Sequence, residues 1–390
     1  MPQSRTTNLP ICGFLLAFGE MFLKSRGVEQ LMRKRLIFNL IHALRKSGAN
    51  FKIRNLRERI LVETQDTDKT GNSLSCLFGL SWYAETYFFS SGELEAVKTF
   101  VLKNWENWIK PSETYALRIQ KTPESGESRD KIIEAIAPQI KRKVNLDHPQ
   151  KEIFIEAREN TWFLYFKKEK GAGGLPSGCE GKMITLMSGG IDSPVAAHMM
   201  ARRGATNIWL HFHSFPLVSQ KSMEKVRELA QKFTCWQPRL KIYFIPFSEI
   251  QLSIKLHAEP KYRILLYRRV MLKIAARIAK KEYCEALVTG EALGQVGSQT
   301  ARNLAIIEDA TKIPILRPLI GMDKEEIIER AKKIKTYEIS IKPQEDCCTL
   351  FIPVHPTAEG NMEKIKKLEK NLQLAKLIRD ALKRAEIELF

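Results

Sequence analysis

At 390 residues, with 44% hydrophobic and 27% charged content, the chain is long enough for two or three domains at roughly 150 residues each. Its composition is that of a soluble globular protein, and nothing in it demands disorder. The 63 Lys plus Arg against 44 Asp plus Glu give a formal charge of +19, a field that attracts polyanions and makes nucleic acid the leading partner class. Seven cysteines, an odd number with no C-x-x-C spacing, argue against a disulfide framework and a zinc site and fit a reducing cytoplasm. No run approaches the ~20 apolar residues of a membrane span.

Arg5 followed by the apolar stretch 9–18 has the outline of a short signal peptide, but no small-residue cleavage site follows, and Glu20 and Lys24 arrive at once. The stretch reads instead as a buried strand over 13–22. Val28, Leu31, Met32, Leu36, Ile37, Leu40, Ile41 and Leu44 then recur at helical period with Lys and Arg between them, predicting a helix over 27–45. Short strands follow at 51–55 and 59–63, and a polar gap over 65–73 closes a small α+β unit.

The pattern restarts with a strand over 82–89 and a helix over 91–108, for which Ser91 is the expected N-cap with Glu93 and Glu95 in the first turn. A strand over 115–119 and a helix over 128–141 come next. Strands over 153–157 and 161–166 then form a hairpin around Glu159 and Asn160. This is a second α+β unit. Residues 168–182, KEKGAGGLPSGCEGK, carry five glycines and a proline without periodicity, and mark a linker.

Beyond the linker the rhythm becomes alternating strand and helix, with strands at 208–212, 242–246 and 286–289 and helices at 219–233, 262–281 and 324–335. That alternation predicts a parallel, doubly wound α/β sheet. Ligands in such sheets sit beyond the carboxyl ends of the strands, where Ser188, His211 and Gly290 would all fall. A helical stretch over 363–389 ends the chain.

The first strand of this half, Met183-Ile184-Thr185-Leu186-Met187, stops at Ser188-Gly189-Gly190-Ile191-Asp192-Ser193-Pro194, and Val195, Ala196, Met199 and Met200 continue at helical spacing. Pro194 fits a first helical turn. Such a strand, glycine turn and helix suit phosphate, because glycine lets the backbone approach an anion and the helix start offers free N–H groups. Ser188 and Ser193 add hydroxyls. A carboxylate here repels phosphate unless a cation intervenes, which makes Asp192 a candidate Mg²⁺ ligand. The loop is not a Walker A: in the nearby Gly178-Cys179-Glu180-Gly181-Lys182-Met183 stretch, Pro176 stands at the first glycine position and Met183 at the Ser/Thr position. Instead it resembles the pyrophosphate loop of the ATP pyrophosphatases, which split ATP between its α and β phosphates.

Further candidates have blander readings beside them. His211 and His213 share one face of a strand, but without a third ligand they read as pocket or core residues rather than metal ligands. Arg268 and Arg269 are either a solvated face or, if aimed at the sheet edge, a phosphate contact. Residues 289–300, TGEALGQVGSQT, form a polar loop suited to hydrogen-bonding a nucleotide. Cys347-Cys348 is either an accidental doublet or a nucleophile able to carry a persulfide.

Together with Gly19-to-Lys24, Gly173-Gly174-Leu175-Pro176, Leu316-to-Lys324 and Glu345-Asp346-Cys347-Cys348-Thr349, these stretches resemble the tRNA uridine 4-sulfurtransferase (ThiI) family over nearly the whole chain. The resemblance implies a ferredoxin-like domain over 1–72, a THUMP domain over 73–168 that grips the tRNA acceptor end, a linker over 169–182 and a PP-loop domain of the adenine nucleotide alpha hydrolase type over 183–390. It implies that ATP adenylates O4 of uridine 8, releasing pyrophosphate, and that a cysteine persulfide displaces AMP to leave 4-thiouridine. The implied ATP contacts are Leu186, Met187, Ser188, Gly189, Gly190, Asp192, Ser193, His211, Phe212, Arg268, Gly290 and Gln299. Lys324 would stabilise developing charge. Cys348 or Cys347 would carry sulfur, with Cys348 favoured.

The chain ends at Phe390, without the rhodanese domain of some members, so the expected sulfur donor is a separate cysteine desulfurase or free sulfide. The resemblance also brings sulfur supply for the thiazole of thiamine and leaves a homodimer open. Two rivals stand beside this reading: another adenylating enzyme of the same fold with a small-molecule substrate, and a non-catalytic tRNA-binding protein. The basic charge and the long N-terminal region disfavour the first; Asp192, Ser193 and Lys324 disfavour the second.

Overall fold

The first sheet has eight strands: β1 (Ile11–Phe18), β2 (Lys52–Asn55), β3 (Ile60–Glu63), β4 (Leu80–Phe89), β5 (Tyr115–Lys121), β6 (Lys151–Arg158), β7 (Thr161–Tyr165) and β8 (Glu169–Lys170). Their order is β2-β3-β1-β4-β7-β6-β5, with β8 paired to β4. The accompanying helices are α1 (Arg26–Ser47), α2 (Thr67–Ser75), α3 (Leu94–Trp108) and α4 (Arg129–Ile136). The computed structural model describes residues 11–89, 94–158, 161–343, 351 and 357–390. The chain divides into two units, one of Met1–Glu29 with Leu40–Gly174 and one of Gln30–Asn39 with Leu175–Phe390.

In the first unit, Val97, Val101 and Trp105 recur every fourth residue on α3 and pack with Ile132, Ile136, Ile153 and Ile155 in one apolar core. The sheet is continuous through β1 and β4, so residues on both sides of position 72 share it. The strand expected over 13–22 stops at Phe18, and Glu20–Leu23 is a short 3-10 turn. The polar gap expected over 65–73 is instead helical, as α2. It buries only Thr70 and Leu74, too few apolar positions for the periodicity to show. The helix expected over 128–141 ends at Ile136, because Pro138 follows in a 3-10 turn and has no N–H to continue the ladder. Ser128 caps its start, accepting from the Lys131 N–H at 3.1 Å. The expected Ser91 cap and the turn at Glu159 and Asn160 lie outside the described residues. Residues expected as a loose linker are tied down on both sides: the Gly171 N–H donates to Ser81 at 2.9 Å, and Leu175 is buried.

The second unit holds β9 (Lys182–Leu186), β10 (Thr206–His213), β11 (Lys241–Pro246), β12 (Ala286–Val288), β13 (Ile315–Leu316) and β14 (Glu386–Leu389) in the order β13-β12-β9-β10-β11-β14. All pair in parallel except β14, which lies antiparallel to β11. Its helices are α5 (Asp192–Arg202), α6 (Lys221–Phe233), α7 (Ser248–His257), α8 (Arg263–Glu282), α9 (Ala301–Glu308), α10 (Lys324–Lys333), α11 (Tyr337–Ser340), α12 (Met362–Asn371) and α13 (Leu374–Lys383). One core joins α7, α8, α9, α12 and α13 to strand residues Ile184, Leu210 and Ile245. Another joins α5 and α10 to Val288. The sheet is therefore covered on both faces, as a parallel sheet requires. The helix expected over 363–389 ends earlier: Glu386-Ile387-Glu388-Leu389 alternates polar and apolar and adds the edge strand, where the Glu388 carboxylate accepts from Arg227 at 2.7 and 2.9 Å. Among the described residues no helix is long and apolar enough to cross a membrane.

From β9 the chain runs outward through β10 and β11, then returns to place β12 on the other side of β9. The carboxyl ends of β9 and β12 thus flank the point where the strand order reverses, and a crevice opens between the chains leaving them.

Two histidines, His213 buried and His198 half-buried, give the unit a pH dependence. His198, set edge-on to Trp236 with ring centroids 4.6 Å apart, is pushed down to about 4 by burial and then by Arg202, Arg330 and Lys333. Burial, His211 and Arg227 push His213 down to about 4 as well. Both have folded pKa values below the ordinary 6.5, so between those limits the unfolded chain binds protons that the fold refuses, and stability falls as pH falls through that window. The thermal unfolding midpoint of the wild type is expected to drop more steeply from pH 7 to pH 4.5 than that of His198→Phe. Parallel curves for the two proteins would show that His198 titrates normally in the fold.

Candidate active site

The loop after β9 turns at Gly189, whose φ of 83° lies in the left-handed region that only glycine adopts freely. Serine hydroxyls close the loop on itself. The Ser188 N–H donates to Ser193 Oγ at 3.2 Å, and the Gly190 N–H donates to Ser188 Oγ at 3.2 Å. Residue Ile191 precedes α5 without a side-chain cap, so the first turn keeps its N–H donors and positive end for a ligand.

The loop after β12 comes against this turn. At Gly290 a Cβ would meet the Asp192 carbonyl carbon and the Ser193 nitrogen, both at 2.9 Å; these are backbone atoms, so a side chain there would push the two loops apart. Between them lies a cavity of about 230 Å³. Part of its lining is apolar, made by Leu186, Leu210, Phe212, Met271, Leu272 and Ile307, and part is polar, made by Ser188, Asp192, Ser193, Arg268, Thr289, Glu291 and Gln299. An apolar slot with a few convergent polar groups is the usual form of a small-molecule site. Gln299 is buried, and its side-chain oxygen has no hydrogen-bond partner among the described residues. Such an acceptor is costly to leave unmade, and a ligand N–H would satisfy it.

Each carboxylate at the site is held by cations or amides. Asp192 Oδ1 accepts from the Lys324 ammonium at 2.5 Å, and Oδ2 accepts from the Gln295 amide at 3.0 Å. Lys324 is delivered by the start of α10, where Asp323 and Glu326 form a reciprocal capping box. Glu291, buried, accepts from Arg268 at 2.6 Å, Arg317 at 2.8 Å and the Thr289 hydroxyl at 2.9 Å. Among the described residues no group of three or more His, Cys, Asp or Glu could hold a metal ion. A divalent ion resting on Asp192 would have that carboxylate and substrate phosphates as its ligands, an arrangement that Mg²⁺ accepts.

Of the residues expected at the site, Leu186, Met187, Ser188, Asp192, Ser193, Phe212, Arg268, Gly290 and Gln299 line one cavity, and Lys324 reaches its Asp192. Gly189 and Gly190 shape the loop without lining the cavity. His211 lies behind the loop. Its Nδ1–H donates to the Met187 carbonyl at 2.8 Å, and since a carbonyl can only accept, Nε2 is left to accept from the Ser222 hydroxyl at 3.3 Å. It braces the loop rather than facing the cavity. Cys347 and Cys348 lie outside the described residues.

Sequence reasoning missed Leu210, Met271, Leu272, Ile307 and the Glu291–Arg317 pair. Leu272 could have been found, since it stands four residues after Arg268 on α8 and so shares its face. Arg317 and Glu291 meet across 26 residues, which no local pattern records.

A family model described as Thiamine biosynthesis protein (ThiI) matches residues 178–374, with the ThiI ferredoxin-like domain matched at 13–84 and the THUMP domain at 95–167. A "Probable tRNA sulfurtransferase" of Moorella thermoacetica is 35% identical, covering 96% of this chain and 96% of the relative. A protein of the same name from Thermus thermophilus is 43% identical over 66% of each chain. Among solved structures, a 4-thiouridine synthetase in complex with RNA and bound ATP superposes with a TM-score of 0.88 at 29% identity, covering 97% of this chain and 100% of that one.

Because the Gly290 contacts are backbone to backbone, Gly290→Ala is expected to weaken ATP binding about tenfold or more, overpacking costing roughly 1–3 kcal/mol. Calorimetric titration with ATP measures this; an unchanged affinity would show that the two loops separate without harm.

Proposed function

The chain belongs to the ThiI family, and from that premise and the cavity at the strand-order reversal we infer that it is a tRNA sulfurtransferase, an enzyme that uses ATP to convert uridine 8 of tRNA to 4-thiouridine. One observation carries the reading above the others. An apolar slot, the unsatisfied Gln299 oxygen and a cation-bearing polar rim meet at an uncapped helix start, which suits an adenine base, its amino group and a triphosphate in turn.

In the proposed sequence, O4 of the uridine attacks the α-phosphorus of ATP and pyrophosphate leaves. The terminal sulfur of a cysteine persulfide then bonds to C4 as AMP departs, and a second thiol attacks the cysteine sulfur, closing a disulfide and leaving sulfur on the base. Arg268 and Lys324 hold phosphate oxygens and stabilise the charge that builds on them. Asp192 would hold Mg²⁺, whose chemistry is to neutralise phosphate charge. Cys348 carries the sulfur and Cys347 resolves it, the persulfide being loaded by a cysteine desulfurase or another sulfur donor. The domain division into 1–72, 73–168, 169–182 and 183–390 belongs to the same proposal, with the THUMP domain taking the acceptor end. So do a cytoplasmic setting, a homodimer and sulfur supply for thiazole.

The +19 charge supports a polyanionic substrate over a small one. The decisive assay follows pyrophosphate release with and without tRNA beside mass spectrometry of the nucleosides. Release without tRNA would favour a small-molecule substrate, and no release at all would favour a binding protein. Cys348→Ser and Cys347→Ser are both expected to release pyrophosphate and form no 4-thiouridine, but only Cys347→Ser should still take up a persulfide; a persulfide on Cys348→Ser and none on Cys347→Ser would move the sulfur carrier to Cys347. Lys324→Ala should slow pyrophosphate release about 100-fold or more, the usual loss for a group that stabilises transition-state charge. An equal fall in ATP affinity with kcat preserved would limit Lys324 to binding.

A further inference from the structure

Beside the nucleotide cavity, across α8, lies a second cavity that the proposed reaction does not use. Arg268 and Leu272 face the first cavity, whereas Arg269 and Lys273 line the second, a groove of about 690 Å³ closed by α12 and α13. The two sites share α8 as a wall.

The groove is built on a fixed floor. Arg269, 2% exposed, donates to Glu369 at 2.9 and 3.0 Å, to Asp309 at 3.2 Å and to the Ile306 carbonyl, and Lys273 donates to Glu369 at 2.7 Å. Glu369, the acidic residue of the lining, is thereby neutralised from within. The rim is basic. On α13, Leu374, Ile378 and Ala381 turn inward, which leaves Lys376, Arg379 and Lys383 along one exposed stripe at spacings of three and four. Lys370 of α12 and Arg277 of α8, two turns beyond Arg269, are exposed beside them. These five have no ion-pair partner among the described residues.

We propose that this groove holds the phosphate backbone of the substrate RNA next to the nucleotide that enters the active site; the proposal rests on the reading of the substrate as tRNA. A row of uncompensated cations with mobile stems suits a regularly charged polyanion. An acidic protein fits less well, since its interface would need a large apolar or aromatic centre, and of the apolar residues here Leu372 and Leu374 are buried and only the small Ala375 is exposed.

The test is the salt dependence of binding of unmodified tRNA to the full chain carrying Lys370→Gln, Lys376→Gln and Arg379→Gln together. Each lost phosphate contact removes roughly 0.7–0.9 from the slope of log affinity against log salt, so the slope should fall in magnitude by about 2, with affinity about tenfold lower or more near physiological salt. ATP affinity should stay as in the wild type. A companion that keeps the charges, Lys370→Arg with Lys376→Arg and Arg379→Lys, should restore the slope, which a merely structural role would not require. Unchanged slope and affinity in the glutamine variant would overturn the proposal. So would intact tRNA binding with lost capture of the persulfide-donating protein, which would assign the groove to that partner. If the wild type itself neither binds tRNA nor releases pyrophosphate with it, the reading of the substrate fails, and the groove assignment with it.

Discussion

The second unit depends on one constraint: two backbone segments must touch where the sheet reverses its strand order. Gly290 lies against the first residues of α5 with no space for a Cβ, and Gly189 turns the other loop with a positive φ. These two glycines allow the start of α5 and the carboxyl end of β12 to face one space. The uncapped helix terminus, the Ser188 and Ser193 hydroxyls that close the loop, and the cavity beyond them all follow from that approach.

Around this contact the charges are stored in pairs. Asp192 holds Lys324, and Glu291 holds Arg268 and Arg317. Without such partners the cations would repel one another at the mouth of a cavity already facing a helix N-terminus, and their long side chains would wander. The carboxylates keep the cations in position, and an incoming triphosphate exchanges one set of anionic oxygens for another at little cost in ordering. This is preorganisation in the electrostatic sense: the donors are aimed before the charge arrives.

Elsewhere too, buried acids are matched by buried cations while further cations stay exposed. In the second unit Glu369 is consumed by Arg269 and Lys273 beneath a rim of exposed lysine and arginine. In the first unit the fully buried Glu156 pairs with Arg59 and Arg158, while Lys168 lies over Trp82 and Phe154 at 4.7 and 4.9 Å. Internal acids fix the geometry, and the net positive charge is left to the surface, where a polyanion meets it.

Residues 183–204 specified their own local form, because a short apolar run, two glycines and a proline at the first turn leave the backbone few alternatives. The same holds for the alternation of strand and helix that follows, and for α1, which spans Arg26–Ser47 where the spacing predicts a helix over 27–45, although Val28 and Leu31 are exposed. Local pattern was silent where an element draws its stability from distant partners. The polar α2 buries only Thr70 and Leu74, and β14 exists because β11 offers an unpaired edge. The pairing of Lys324 with Asp192 across 132 residues, of Arg317 with Glu291 across 26, and the stranded oxygen of Gln299 came only with the tertiary structure. Backbone preferences act over a few residues, whereas the meeting of two loop ends depends on strand order, and strand order is decided by which apolar faces bury one another.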